Sequence, residues 1–145
     1  MDKGLVWVYT RNMNQACYCN LLRKAARRVS THYDTALAPF GINIAQFALL
    51  RMVAGKAPLS LTELGRLAEL DRSTTGRNVR VLERAGLMKT VRSDDDQREA
   101  KVRLSKKGEE VLAASQAAWK ACQKAMEAKL GPEQMSLLND VLGAL

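Results

Sequence analysis

Arg77, Arg80 and Arg84 recur at helical spacing in the stretch RSTTGRNVRVLERAG, which runs from Arg72 to Gly86. Guanidinium groups hold anions and reach nucleic-acid base edges through a fixed fork of N–H donors. Wound as a helix at about 100° per residue, the stretch gathers Thr75, Val79 and Leu82 into a narrow apolar stripe. The same winding turns Ser73, Gly76, Arg77, Arg80 and Arg84 to the opposite side. From Arg72 to Arg92 the only acid is Glu83, against Arg72, Arg77, Arg80, Arg84, Lys89 and Arg92. A merely solvated helix face usually mixes its signs. The stripe therefore predicts docking onto a core, and the outward face predicts contact with an anionic surface.

The other reactive side chains are few. Cys17, Cys19 and Cys122 with the lone His32 give an odd thiol count, no CxxC pair and too few ligands for a structural zinc site. On one helix Cys17 and Cys19 would point about 200° apart, which disfavours a bridge or a shared metal. Cys19 falls beside the apolar stripe of its segment and is expected to be buried, whereas Cys17 falls off it. Three readings stay open for these thiols: small hydrophobes in a dimer interface, a redox sensor at Cys17 partnered by Cys19 or Cys122, or a soft metal or metalloid site. Tyr18, Arg27, Arg28, His32 and Tyr33 share the region and could form one wall of a cleft for a small aromatic or phenolic anion. The plainer alternative makes Tyr33 core and the two arginines a solvated face or phosphate contacts. No GxSxG, HExxH or phosphate-cradling glycine loop occurs, so no enzyme, cofactor or metal is expected. A thiol peroxidase built on Cys17 would lack an evident base.

These groups need elements to hold them. The 145 residues, 47% hydrophobic and 26% charged, suit one domain with a sizeable core. Tyr18, Leu22, Ala26, Val29, Tyr33 and Leu37 repeat at three- and four-residue spacing and predict a long amphipathic helix from Asn14 to Leu37. A second helix is expected over Ile44 to Ala54. A third follows in SLTELGRLAEL, where Ser60 and Glu63 have capping-box spacing. Leu70, Asp71 and Arg72 separate it from the arginine-faced helix, which makes the pair a helix-turn-helix. LMKTVRS and EAKVRLS then read as a hairpin with SDDDQR as its turn, a wing carrying Arg98 at the tip for a minor groove. Asp96 could hold Arg98 extended while Asp94 and Asp95 face solvent. Ser105 caps a long helix to about Leu130, and Pro132 opens a last one.

The expected fold is mainly α with a small β-hairpin wing. It is a single domain, 1–145, with a winged helix-turn-helix at 44–104 and dimerisation helices at 1–38 and 105–145. The net charge of +8 favours nucleic acid or a membrane surface as partner. The apolar LVWVY near the start is too short for a membrane span or signal peptide, so a cytoplasmic protein without a membrane partner is expected. The many apolar positions after Leu130 predict a homodimer, which offers two recognition helices to two half-sites of double-stranded DNA. A winged-helix protein-interaction module without DNA binding is the alternative, although such a face would show apolar anchors rather than arginines.

Three stretches carry a family resemblance: LAPFGINIAQFALLRMV, LSLTELGRLAELDRSTTGRNVRVLERAGLMKTVRS and DDDQREAKVRLSKKGEEVL. The last has Asp96-Gln97-Arg98 at the wing tip and Leu104-Ser105 followed by Gly108. Together they resemble the MarR (multiple antibiotic resistance regulator) family of bacterial transcription factors over Asn14 to Leu145. The resemblance implies a winged helix-turn-helix dimer that binds a pseudo-palindromic operator and represses until a small molecule or oxidant lowers its affinity. It places Ser73, Thr74, Thr75, Arg77 and Asn78 on the recognition helix and Arg98 at the minor groove. Arg80 departs from the family, which often has an acid there; it could read a base, hold a phosphate or pair with Glu83 or Glu63. NQACYCN resembles the start of the organic hydroperoxide resistance regulators, a branch in which an early cysteine is oxidised. That likeness implies Cys17 as the oxidised thiol and Cys122 as a candidate resolving thiol.

Overall fold

The computed structural model describes residues 17–93 and 96–145, with the side chains of 93–98 outside the description. Helix α1 spans Tyr18–Leu37 and runs into a short 3-10 turn, Ala38–Phe40. Helix α2 spans Ile44–Lys56, two residues longer than its apolar pattern predicts. Strand β1 is Leu59–Ser60, helix α3 Leu61–Ala68 and helix α4 Arg72–Arg84. The wing is β2, Met88–Ser93, with β3, Asp96–Leu104; helices α5, Lys106–Leu130, and α6, Pro132–Ala144, follow.

Local chemistry sets most of the starts. Asn43 and Gln46 form a reciprocal capping box at α2, and Ser60 and Glu63 form another at α3. Asp71 caps α4 and Ser105 caps α5, while Pro132 occupies the first turn of α6. Asp34 Oδ1 accepts from the Ile44 N–H at 2.8 Å, tying α1 to the start of α2.

The sheet is antiparallel with order β1-β3-β2. Met88 pairs with Leu104, Thr90 with Val102 and Ser93 with Asp96, the register shifting between Val91 and Ser93. The turn is thus tighter than SDDDQR, and Arg98 has strand backbone. β1 adds a third strand that the sequence pattern does not predict: Leu59 pairs with Val102 and Ser60 with Lys101.

Leu37, Phe47, Leu50, Val53, Leu64, Leu82 and Val102 form the innermost core. Phe47 stacks on Trp119 of α5 at 5.7 Å between ring centroids, which seats α2 on α5. Of the stripe predicted on α1, only Tyr33 and Leu37 are buried; Tyr18, Leu22 and Ala26 are exposed in the single chain, and Val29 is half-buried. The first half of α1 stands clear of the described core, and so does most of α6, where Leu137, Leu138, Val141 and Leu142 are exposed, as is Leu145 just after it. Among the described residues no single helix is long and apolar enough to cross a membrane.

Candidate nucleic-acid interface

Helix α4 divides as its sequence predicts. Thr75, Val79 and Leu82 are buried, whereas Ser73, Arg77, Arg80 and Arg84 are exposed and Thr74, Gly76 and Asn78 are half-buried. Thr75 therefore leaves the set of expected DNA contacts. Its side chain has no exposed surface, and its hydroxyl donates to the Asp71 carbonyl at 2.9 Å, so it holds the first turn of the helix.

Asp71, which sequence reading places only in the turn, organises that first turn. Its Oδ1 accepts the Thr74 N–H at 2.8 Å and its Oδ2 the Thr74 hydroxyl at 2.7 Å. The Thr74 hydroxyl and then the Thr74 amide lower the Asp71 carboxyl below its ordinary value. Arg77 Nη1 donates to Ser73 Oγ at 2.7 Å, and Nη2 donates to Thr74 Oγ1 at 3.2 Å. Asp71, Ser73, Thr74 and Arg77 thus form one exposed polar network at the start of α4. The signal for it was available, since an Asp three residues before a Thr at a helix start is a capping pattern.

Arg80 folds back along the helix, and a Cβ at Gly76 would stand 4.0 Å from its Nη1. The carboxylates considered as its partners have other contacts. Glu83 accepts the Thr90 hydroxyl of the wing, and Glu63 accepts the Ser60 N–H of its capping box. The Thr90 contact fixes β2 to the recognition helix. Arg98 begins near the hairpin end of β3; its side chain, that of Asp96, and Asp94 and Asp95 altogether lie outside the described residues.

The residues weighed for a signal are less gathered. Cys17 is the half-buried N-cap of α1, with extended backbone, so helical geometry does not govern its angle to Cys19. Cys19 is exposed rather than buried, because among the described residues nothing covers the start of α1. Cys122 is half-buried on α5, and burial raises its thiol above the ordinary value, which lowers its thiolate fraction. Tyr33 donates to Gln123 Oε1 at 2.6 Å; burial first, then the charges of Cys122 and Glu127, raise its phenol. Tyr18, Arg27, Arg28 and His32 are exposed. Of these, Arg27 lines a shallow depression with Asn20, Leu21 and Lys24. Tyr33 is thus held against α5 while the other four members of the predicted wall are exposed. Sequence reading missed Arg51, whose guanidinium lies 4.4 Å from the centre of the Trp119 ring.

A buried stripe behind an arginine face, a capped turn before it and a hairpin after it define a winged helix-turn-helix protein. Known proteins agree with that class. The MarR family profile matches residues 40–99. The regulator FarR of Neisseria gonorrhoeae, described as an HTH-type transcriptional regulator, is 30% identical over 125 residues, 86% of this chain and 85% of its own. The Mycobacterium tuberculosis regulator MosR, solved in complex with DNA, is 28% identical with a TM-score of 0.75 over 88% of this chain and 97% of that one. A probable transcriptional regulator from Pseudomonas aeruginosa is 26% identical with a TM-score of 0.79, covering 90% and 97%. The chain belongs to the MarR family of DNA-binding transcription regulators.

Proposed function

We propose that the protein is a cytoplasmic homodimeric repressor of a pseudo-palindromic operator, released by a small aromatic ligand or by oxidation. The observation that carries the DNA part is the division of α4. A fully packed stripe keeps the helix seated while Ser73, Thr74, Arg77, Asn78, Arg80 and Arg84 remain available to a major groove. Arg98 on the wing is assigned to the adjacent minor groove. The dimer reading rests on exposed apolar residues at both ends of the described chain: Tyr18, Leu21 and Leu22 on α1, and Leu137, Leu138, Val141 and Leu142 on α6. Faces of this kind demand cover in water. Tyr18, Arg28, His32 and the three cysteines are the side chains offered to the signal.

Selection of duplexes from a random pool at fixed salt tests this reading. Enrichment of a two-fold motif by a dimer is expected, followed by loss of binding with one member of a panel of aromatic acids and hydroperoxides. Enrichment of an asymmetric site by a monomer would overturn it.

A further inference from the structure

The recognition helix ends on a seam with the helix that follows the wing. The Gly86 N–H donates to the Glu83 carbonyl and the Leu87 N–H to the Leu82 carbonyl, each at 2.9 Å. With Gly86 at φ 75°, this closes the last turn of α4 as a left-handed glycine cap. The carbonyls of Ala85, Gly86 and Leu87 are all taken by the start of α5. Lys107 Nζ donates to Ala85 O at 3.0 Å, Ser105 Oγ to Gly86 O at 2.5 Å, and the Ser105 N–H to Leu87 O at 3.1 Å. Ser105 Oγ also accepts the Gly108 N–H at 3.0 Å, so one hydroxyl caps α5 and grips the end of α4. Gly108 is buried against this turn; a Cβ there would run into the Leu87 carbonyl, whose carbon stands 2.9 Å from that position.

Covalently, α4 reaches α5 only through the hairpin from Met88 to Leu104. The buried stripe seats α4 on the core, but the hairpin by itself does not tie the C-terminal end of α4 to α5. The seam bypasses it with three hydrogen bonds to consecutive carbonyls, one of them from a cation at a helix C-terminus. The Ser105 hydroxyl bond is partly buried and the Lys107 bond is exposed, so losing the first leaves a partly buried carbonyl unpaired while losing the second removes a charge-assisted tie at the surface.

We propose that Lys107, Ser105 and Gly108 are positioning residues that join α4 and α5 into one rigid body. The orientation of each recognition helix is then set by α5, and through α5 the separation of the two helices in a dimer. This rests on the dimeric DNA-binding reading above. Half-site spacing is the quantity such a joint would control.

The test compares the full-length wild type with Lys107→Met and Ser105→Ala, each confirmed by melting to be folded at the assay temperature. Lys107→Met keeps the aliphatic stem and removes the donor; Gly108→Ala is avoided because its clash would unseat α5. Duplexes carry the selected half-sites at their natural separation, or with a base pair inserted or removed, or a single half-site. Wild type should favour the natural separation by about tenfold or more. Ser105→Ala should lose about tenfold there, the size of one partly buried hydrogen bond, and Lys107→Met less because its contact is exposed; both should flatten the preference among separations, with single half-site binding unchanged. Variants that weaken equally on every duplex, or keep the wild-type spacing ratio, overturn the coupling while leaving the DNA-binding dimer intact. A wild type that shows no spacing preference, or runs as a monomer, removes that reading and the coupling with it.

Discussion

In the free chain the Arg77 guanidinium already rests on the hydroxyls of Ser73 and Thr74. An arginine otherwise gives up about 2 kcal/mol of rotamer entropy when it is fixed, so restraint before DNA arrives lowers the ordering cost at the groove. Two of its five N–H donors are engaged, which leaves enough for the O6 and N7 acceptors of a guanine. Arg77→Ala should therefore weaken operator binding by about 1–3 kcal/mol and relax the preference at one base pair. Thr74→Val, which keeps the branched shape and loses the hydroxyl, should relax the same base pair with a smaller loss of affinity, measured on a set of single-base operator variants. The carboxyls that cap α4 and α3 carry a pH signature. The Thr74 hydroxyl and amide lower Asp71, and the Ser60 amide and hydroxyl lower Glu63. A carboxyl that titrates lower when folded contributes stability that is present above its unfolded pKa and is lost as pH falls through the folded one. Melting temperature should thus decline below the ordinary carboxylate range, modestly because both groups are solvent-screened. Asp71→Asn keeps a capping side chain and should make that decline shallower; an unchanged acid limb would count against Asp71.

The helices are anchored by a few large contacts, and at Phe47 one of them joins α2 to α5. It is 1% exposed and stacks on Trp119, over which Arg51 lies. Phe47→Ala should cost about 3–5 kcal/mol in urea unfolding. Arg51→Ala should cost about 0.5–1 kcal/mol, the scale of an exposed cation–π contact. The sequence makes α4 readable because one short segment contains both faces, and it makes α3 and α5 readable because Ser60 and Ser105 mark their starts. The three-stranded sheet is less readable. Leu59 and Ser60 are too few to alternate, and their partners, Val102 and Lys101, lie far along the chain. Lys107 and Thr90 are hidden for the same reason, since their contacts to Ala85 and Glu83 depend on how the wing folds back. On α1 the periodicity identifies an apolar face but not what covers it, so Cys19 and Tyr18 are expected inside and stand exposed.

The described residues combine a basic helix face with exposed apolar residues on α1 and α6. Binding should fall steeply with salt, each phosphate contact adding about one unit of log–log slope. A flat titration would mean that the arginines do not meet phosphate. If α6 lies in the dimer interface, Leu138→Glu with Leu142→Glu should yield a folded monomer by sedimentation, with single half-site binding only. Cys17, half-buried at the open start of α1, supplies the oxidation test. Mild hydroperoxide should release DNA from the wild type but not from Cys17→Ser, and persistence of release in the variant would turn attention to a ligand. The two-sidedness of α4 also bears on descent. Thr75, Val79 and Leu82 keep the helix seated whatever occupies positions 73, 77, 80 and 84, whose side chains are exposed. Changes there should cost folding little, and on the proposed reading they would alter the DNA address. A duplicated gene could acquire a new set of target promoters through a handful of surface substitutions, each intermediate still a stable protein.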